Sequence, residues 1–583
     1  MGYSSLMFAR TRGKNREVRE IAPDEIFLDS SNLPGRDEPQ FEGRIIRPVA
    51  GRAILAVGAV CAVVLLVFTG RSFDLSIVHS AAYADISRDN RLDRSVVFAE
   101  RGRILDRTGR ELAWNAPQDT PDATTTPDRG LPGGTSFAAR RYSESPGLSH
   151  LVGFVRYPKA DRSGAWWREE YTGVSGAELV FDDALGGGNG SEMIETDAEG
   201  RVSRRNIVVL PQKGEDVRLT VDAEVQSKLH TTLSAHAERQ GFQGGAAVIV
   251  DVRTGELLAL VSFPEYDNAA FAEGDARATA KAGADPLSPL LNRATSGLYA
   301  PGSIVKPIFA AAALNEGLVT PDTQVLSTGA ITIPNPYDPA HPSVFRDWTV
   351  HGWVDMRTAI AVSSDEYFYT IGGGFGRQKG LGIAKLDEYA RRFGLGAPTG
   401  IALSGEEAGV IPTPEWKAEV FGPDDPWRIG NTYHTAIGQY GFQITPLQAA
   451  LFIAAIANGG SLLTPHIAAG EPARFTSVGI PDAYLKVVRE GMRLAVTSDR
   501  KDATAKSLNI AGIRLAAKTG TAQIGTRNQF MNSWSVGFWP AENPRYAYAA
   551  VLERAPAGTL SGAAPGLVPF FNWLIANHPE YLE

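Results

Sequence analysis

The most apolar stretch of the chain runs from Ala53 to Gly70 without a charged residue, closed by Arg52 and Arg71. A helix that is apolar on every face suits a lipid surround, so residues 48–71 are expected to form one membrane-spanning helix. A buried core helix has the same composition, but the polar leader of residues 1–47 favours a span. Arg36, Arg44, Arg47 and Arg52 precede it and favour a cytoplasmic N-terminus, although Arg71, Arg88, Arg91 and Arg94 follow. Ala82-Tyr83-Ala84 has the small-x-small form of a cleavage site, yet it lies well beyond the apolar run, so an uncleaved anchor is expected.

Before the span, residues 1–47 mix Arg10, Arg12, Lys14, Arg16 and Arg19 with Glu17, Glu20, Asp24 and Glu25 among few apolar positions, as a solvated tail with little fixed structure does. After it, residues 72–215 are irregular, and residues 115–136 are rich in Pro, Thr, Asp and Gly without periodicity, which reads as an exposed linker. From Gly214 the pattern changes. Val217 to Val221 alternates, Val225, Leu229 and Leu233 follow at helical spacing, and Ala246–Val250 and Leu257–Val261 flank the turn Asp251-Val252-Arg253-Thr254-Gly255 as a hairpin. Ile513–Ala517, Trp534–Phe538 and Tyr546–Leu552 read as later strands. Strands, then mostly helices, then strands predict an α/β domain over residues 216–583, an antiparallel sheet with helices packed on it. No repeat points to a solenoid or propeller.

Composition narrows the function classes. With 583 residues, 43% hydrophobic and 21% charged, the chain can bury two or three cores. A net charge of -8 argues against nucleic acid as a partner, because that task needs a basic surface. The single cysteine, Cys61, lies in the apolar run, which excludes an intramolecular disulfide and a cysteine metal cluster.

Three short clusters carry candidate chemistry. Pro301-Gly302-Ser303-Ile304-Val305-Lys306-Pro307 leads into the apolar run Ile308–Leu314, so Ser303 stands at the start of a helix with Lys306 on the same face. A serine hydroxyl needs a neighbouring base, and lysine serves when burial or nearby positive charge disfavours its ammonium form. The helix N-terminus also favours an oxyanion on the attacked carbonyl. Alone this spacing is weak: Ser498-Asp499-Arg500-Lys501 repeats it in a polar stretch. The second cluster is Ser363-Ser364-Asp365, which by itself reads as a helix cap. The third is Lys518-Thr519-Gly520-Thr521, by itself a strand end. Their order along the chain is that of the active-site serine penicillin-recognising enzymes.

With these clusters in place the chain resembles the class B penicillin-binding proteins from about residue 96 to its end. Arg101–Ala113, Gly173–Glu178, Leu219–Asp222, Asp251–Glu256, Asn292-Arg293-Ala294, Ala436–Gln439 and Thr445–Gln448 resemble further blocks of the family. Asp365, with Arg346-Asp347-Trp348 and His351-Gly352 before it, is similar to the elongation-type branch. The resemblance implies a transpeptidase domain on a small N-terminal pedestal behind one transmembrane helix. It also implies a single-pass protein of the inner (cytoplasmic) membrane with its catalytic domain outside. The implied partners are peptidoglycan stem peptides, β-lactams, a polytopic membrane glycan polymerase and other elongation-machinery proteins.

For the site, the resemblance implies Ser303 as nucleophile and Lys306 as base, with Ser363 and Asp365 relaying protons. Lys518 and Thr519 would draw in the substrate's terminal carboxylate on an edge strand, and Gly520 would leave room for its backbone. The N–H groups of Ser303 and Thr521 would form the oxyanion hole. Two departures stand out. Between Leu112 and Tyr142 the chain carries only a short stretch where elongation-type members commonly have a larger head. Some members bind zinc through Asp, His and Cys; Asp322, Asp347 and His351 are possible counterparts, but Ser364 stands where a thiol is needed. No metal and no other cofactor is expected. A hydrolase of the D,D-carboxypeptidase or β-lactamase kind, and a β-lactam-acylated sensor or non-catalytic scaffold, remain alternatives at this point.

Overall fold

The computed structural model describes residues 50–89, 92–116, 137–161, 166–196, 202–335 and 338–583. The chain divides into two units, one ending at Asp89 and one running from Asn90 to Glu583. The expected tail at 1–47 and most of the expected linker at 115–136 lie outside the described residues.

In the first unit, α1 (Gly51–Phe73) continues through a wider turn at Asp74–Val78 and is followed by α2 (Ser80–Asp89). The apolar helix therefore extends past Arg71, the end expected from charge alone, to Val78, and is long and apolar enough to cross a membrane.

The second unit contains the pedestal and a five-stranded central sheet. In the pedestal, β1 (Leu92–Val97), β5 (Gly190–Thr196) and β6 (Val202–Val209) form one sheet in the order β1-β5-β6. A second sheet joins β2 (Ile104–Leu105), β3 (Glu111–Asn115), β4 (Arg140–Tyr142) and β7 (Val217–Arg218) in the order β7-β2-β3-β4. Asn115, read from sequence as the start of the linker, instead ends β3. It pairs with Arg140, and its side-chain amide donates to the Arg101 carbonyl at 2.7 Å. The alternation at Val217–Val221 yields only two strand residues, because Thr220 N turns away to donate to the Ile467 carbonyl.

The pedestal is organised around one buried carboxylate. Arg101 Nε and Arg140 Nε donate to the two oxygens of Glu178, each at 2.7 Å, and all three side chains are fully buried. Arg101 also reaches Asp182 at 2.7 Å.

The central sheet has five antiparallel strands: β8 (Gly244–Asp251), β9 (Leu257–Phe263), β10 (Ala516–Ile524), β11 (Phe530–Trp539) and β12 (Tyr546–Pro556), ordered β9-β8-β12-β11-β10. The predicted hairpin is β8 with β9, Ala247 facing Val261. Both faces are covered, so its strands are apolar at consecutive positions instead of alternating. On one face Ala246, Val248, Val536, Ala549 and Val551 join a core with α4 (Lys306–Asn315) and α7 (Pro446–Ala457). On the other, Ala247, Ile249, Tyr548, Ala550 and Leu552 pack with α3 (Ala223–Gln240) and α9 (Ala563–Asn577). The strand expected at Ile513–Ala517 begins only at Ala516. The Leu515 carbonyl just before it is taken by the Arg493 guanidinium at 2.6 Å, and Gly512 makes a turn at φ +97°.

Candidate active site

Three elements meet at the free edge of β10. Ser303 lies in the tight turn Gly302–Val305 that feeds α4, whose Pro307 suits the first turn of a helix. Gly302 has φ +56°, and its N–H donates to the Gly438 carbonyl at 2.9 Å. A Cβ on Gly302 would lie 2.8 Å from the Thr521 carbonyl oxygen, so the backbones of the Ser303 turn and of β10 nearly touch. Gly520 serves the same approach: a Cβ there would meet Ile304 and the Pro301 carbonyl at 2.9 Å. Sequence reasoning assigned the room at Gly520 to substrate; the nucleophile turn uses it as well.

The second cluster sits between α5 (Met356–Val362) and α6 (Asp365–Gly373). Ser363 ends α5 in the left-handed region at φ 59°, a conformation costly for a residue with a Cβ and common at functional sites. Ser364 caps α6, accepting from Tyr367 N at 3.3 Å. The turn aims the Ser363 hydroxyl between two lysines. Lys518 Nζ donates to Ser363 Oγ at 2.7 Å, and Lys306 Nζ lies 3.4 Å from the same oxygen. Lys306 also donates to the Ser363 carbonyl at 2.7 Å and to Asp365 Oδ1 at 2.6 Å. Both lysines are fully buried, while Ser303 is half-buried.

Burial, and after it the charge of Lys306, push the Lys518 ammonium well below its usual range. Burial pushes the Asp365 carboxyl up, with Lys306 opposing. The site therefore gathers groups that can exchange protons around one hydroxyl. Among the described residues Ser303 Oγ has no hydrogen bond, so the hydroxyl is free to meet a carbonyl. Thr519 is half-buried and Thr521 exposed along β10, as an edge that receives a peptide requires. Ser498, the other serine three residues before a lysine, ends a helix, and among the described residues its hydroxyl accepts from Arg500 N at 3.2 Å.

The candidate zinc residues do not assemble a metal site. Asp322 is exposed, 3.8 Å from Arg357. Asp347 Oδ2 accepts from Ser364 Oγ at 2.8 Å and Glu366 N at 3.0 Å, and Oδ1 accepts from Trp348 N at 2.8 Å. A hydroxyl that donates to the carboxylate replaces the thiol ligand, and the carboxylate's lone pairs are spent on protein donors, so the set does not fit zinc. His351 instead bridges Asp347, 3.5 Å from Nε2, and Asp502, 2.7 Å from Nδ1, with Arg500 paired to Asp502 at 2.8 Å. Sequence reasoning missed Asp502 and Arg500, which reach His351 from far along the chain and carry no local signal.

This network gives a signed pH dependence. Burial works against the charge of His351, but Asp347 and Asp502 outweigh it and raise its pKa. Burial also opposes the two carboxylates, yet the His351 ring 3.5 Å away and a hydrogen bond from the Glu366 amide bring Asp347 to about 2, and hydrogen bonds from Arg500 and His351 bring Asp502 to about 2. The histidine's contribution is full below its unfolded pKa of about 6.5 and is lost as pH rises through the higher folded value. The carboxylates contribute above about 3.9 and lose this as pH falls towards about 2. The melting temperature is expected to fall as pH rises above about 6.5 in the wild type and to vary less in His351→Gln; equal slopes in calorimetry would contradict the bridge.

The comparisons with known proteins follow this geometry. The penicillin-binding protein transpeptidase domain matches residues 245–571, and the penicillin-binding protein dimerisation domain matches residues 135–219. The chain belongs to the penicillin-binding protein transpeptidase family, as a class B member with a dimerisation domain. Its activity is that of a serine-type peptidoglycan D,D-transpeptidase, a target of β-lactams, and it is of the penicillin-binding protein 2 kind. It is 31% identical over 465 residues to the peptidoglycan D,D-transpeptidase MrdA of Haemophilus influenzae, covering 74% of this chain and 68% of that one. A solved complex between penicillin-binding protein 2 and MreC from Helicobacter pylori matches with TM-score 0.67 at 26% identity, over 84% of this chain and 99% of that one. A peptidoglycan synthase complex that coordinates polymerization and crosslinking contains a chain matching with TM-score 0.67 at 28% identity, over 90% of this chain and 98% of that one.

Proposed function

We propose that Ser303 is the acylated nucleophile and that Lys306, Ser363, Asp365 and Lys518 handle its protons. The observation that carries this is the Ser363 hydroxyl held between two buried lysines, beside the turn that presents Ser303. Lys518 and Thr519 hold the terminal carboxylate of a stem pentapeptide lying along β10, while Gly520 lets that strand close on the nucleophile turn. Ser303 Oγ attacks the penultimate D-alanine carbonyl as Lys306 takes its proton, and the oxyanion is met by the N–H groups of Ser303 and Thr521. The C–N bond then breaks as Ser363 passes a proton to the leaving D-alanine nitrogen. A neighbouring stem-peptide amine attacks the ester and gives up a proton through Ser363, and the ester C–O bond breaks to return Ser303 as its hydroxyl.

Residues 72–215 serve as the pedestal and 216–583 as the catalytic domain, anchored in the inner membrane by the Gly51–Val78 helix with the catalytic side outside. The MreC and synthase complexes of its relatives support a role in wall elongation beside a membrane glycan polymerase.

The test is product analysis with the full chain in detergent, a pentapeptide donor and an amine acceptor. D-alanine release matched by amine-linked product, both lost in Ser303→Ala, is expected. Tetrapeptide acid as the dominant product at every amine concentration would mark a hydrolase.

A further inference from the structure

A cavity of about 450 Å³ opens beyond the far end of β10, with Gln439, Tyr440, Gln523, Asn532, Glu553 and Arg554 in its lining. It adjoins the reaction centre on two sides. Tyr299 and Ala300 in its wall lead directly to the nucleophile turn, and Gln523 to Gly525 continue β10 past Thr521.

The backbone is built to place Arg554 there. Met531 pairs with Ala555 and Ser533 with Leu552, so Glu553 and Arg554 together oppose the single Asn532 in a β-bulge. Arg554 takes φ 58°, and Asn532 Oδ1 accepts its N–H at 3.0 Å. Bulges of this kind re-aim a side chain beside an active site. The bulge separates two opposite charges. Glu553 is buried, its oxygens accepting from Arg293 Nε and the Tyr299 hydroxyl, each at 2.8 Å. Arg554 is exposed; its guanidinium lies 5.3 Å from the Phe530 ring centroid, and among the described residues it has no ion pair.

The direction of the substrate follows from the proposed reaction. With the terminal carboxylate at Lys518 and Thr519 and the scissile carbonyl at Thr521, the donor peptide runs antiparallel to β10. At about 3.4 Å per residue, the residue before the scissile D-alanine then comes opposite Gln523, at the mouth of the cavity.

We infer that this cavity is a specificity subsite for the donor strand, in which Arg554 receives a side-chain carboxylate of the residue upstream of the D-alanyl-D-alanine end. The inference rests on the proposed role of Ser303 and β10. The amides of Gln439, Gln523 and Asn532 supply neutral donors around the Arg554 guanidinium, which among the described residues has no ion pair, a lining suited to an anion of a peptide. Lys518 and Thr519 thus read the C-terminal carboxylate, and Arg554 reads a second carboxylate at the other end of the scissile residue.

The experiment uses the full chain in detergent with two donor peptides ending in D-alanyl-D-alanine, one bearing the upstream carboxylate and one its carboxamide. A charge-assisted hydrogen bond predicts a roughly ten-fold to hundred-fold higher kcat/KM for the acidic donor in the wild type. Arg554→Asn, a residue that tolerates the left-handed backbone, is expected to abolish that preference and leave the carboxamide donor and penicillin acylation unchanged; Arg554→Lys is expected to retain part of it. Equal use of the two donors by a wild type that penicillin still acylates overturns the subsite alone. An equal loss for both donors in Arg554→Asn overturns it as well. Failure of penicillin to acylate the wild type overturns the underlying site and the subsite with it.

Discussion

Lys306→Ala is expected to slow penicillin acylation of Ser303 by about 10²–10⁴-fold, the usual contribution of a positioned general base. Lys306 follows Ser303 on the same helical face and is, among the described residues, the one buried cation that touches both Ser363 and Asp365. Its removal takes away the proposed proton acceptor and leaves Asp365 without its partner, so a loss of activity alone is ambiguous. Lys306→Arg separates the causes, because an arginine keeps the charge opposite Asp365 yet cannot give up its proton. Acylation lost in both variants, with folding retained in Lys306→Arg by melting temperature and circular dichroism, is the expected pattern. Acylation at wild-type rate in Lys306→Arg would remove Lys306 from the role of base.

Glu178→Leu is expected to destabilise the pedestal by about 3–5 kcal/mol, the cost of leaving buried charge without its partner. Glu178 serves two fully buried guanidinium groups at once, and neither has room to reach water. Arg101 retains Asp182, whereas among the described residues Arg140 retains only neutral partners such as the Asn115 side-chain oxygen at 3.2 Å. The loss is therefore expected to centre on β4, where Arg140 is anchored. Urea unfolding of the full chain, followed by limited proteolysis, reads this directly. A midpoint unchanged from wild type would show that the triad contributes nothing net.

The apolar run, the hairpin and the three candidate clusters were legible in the sequence because each is a local pattern. The α/β reading followed from the order of elements along the chain, strands, then mostly helices, then strands, which local sequence shows even when it does not say which strand neighbours which. The sheet order was not legible: β12 inserts between β8 and β11, so the N-terminal hairpin and the C-terminal strands share one sheet. The site residues were named, but not their arrangement. Nothing in Ser363-Ser364-Asp365 announces a left-handed serine pointing between lysines that lie in two distant segments. Asp347 and His351 drew notice as metal candidates, and only folding brings Asp502 and Arg500 to them and makes the cluster a proton-holding bridge. Asn115 was misread because the Pro- and Thr-rich composition after it spread over a residue that the β3 to β4 pairing holds.

The central claim is that one serine, Ser303, forms the acyl-enzyme. Intact-mass measurement of the full chain after exposure to penicillin, in wild type, Ser303→Ala and Ser498→Ala, tests it most directly. The account predicts one adduct per chain that persists for hours in wild type and Ser498→Ala and is absent from Ser303→Ala. An adduct that survives in a folded Ser303→Ala protein, or none on folded wild type, would contradict it.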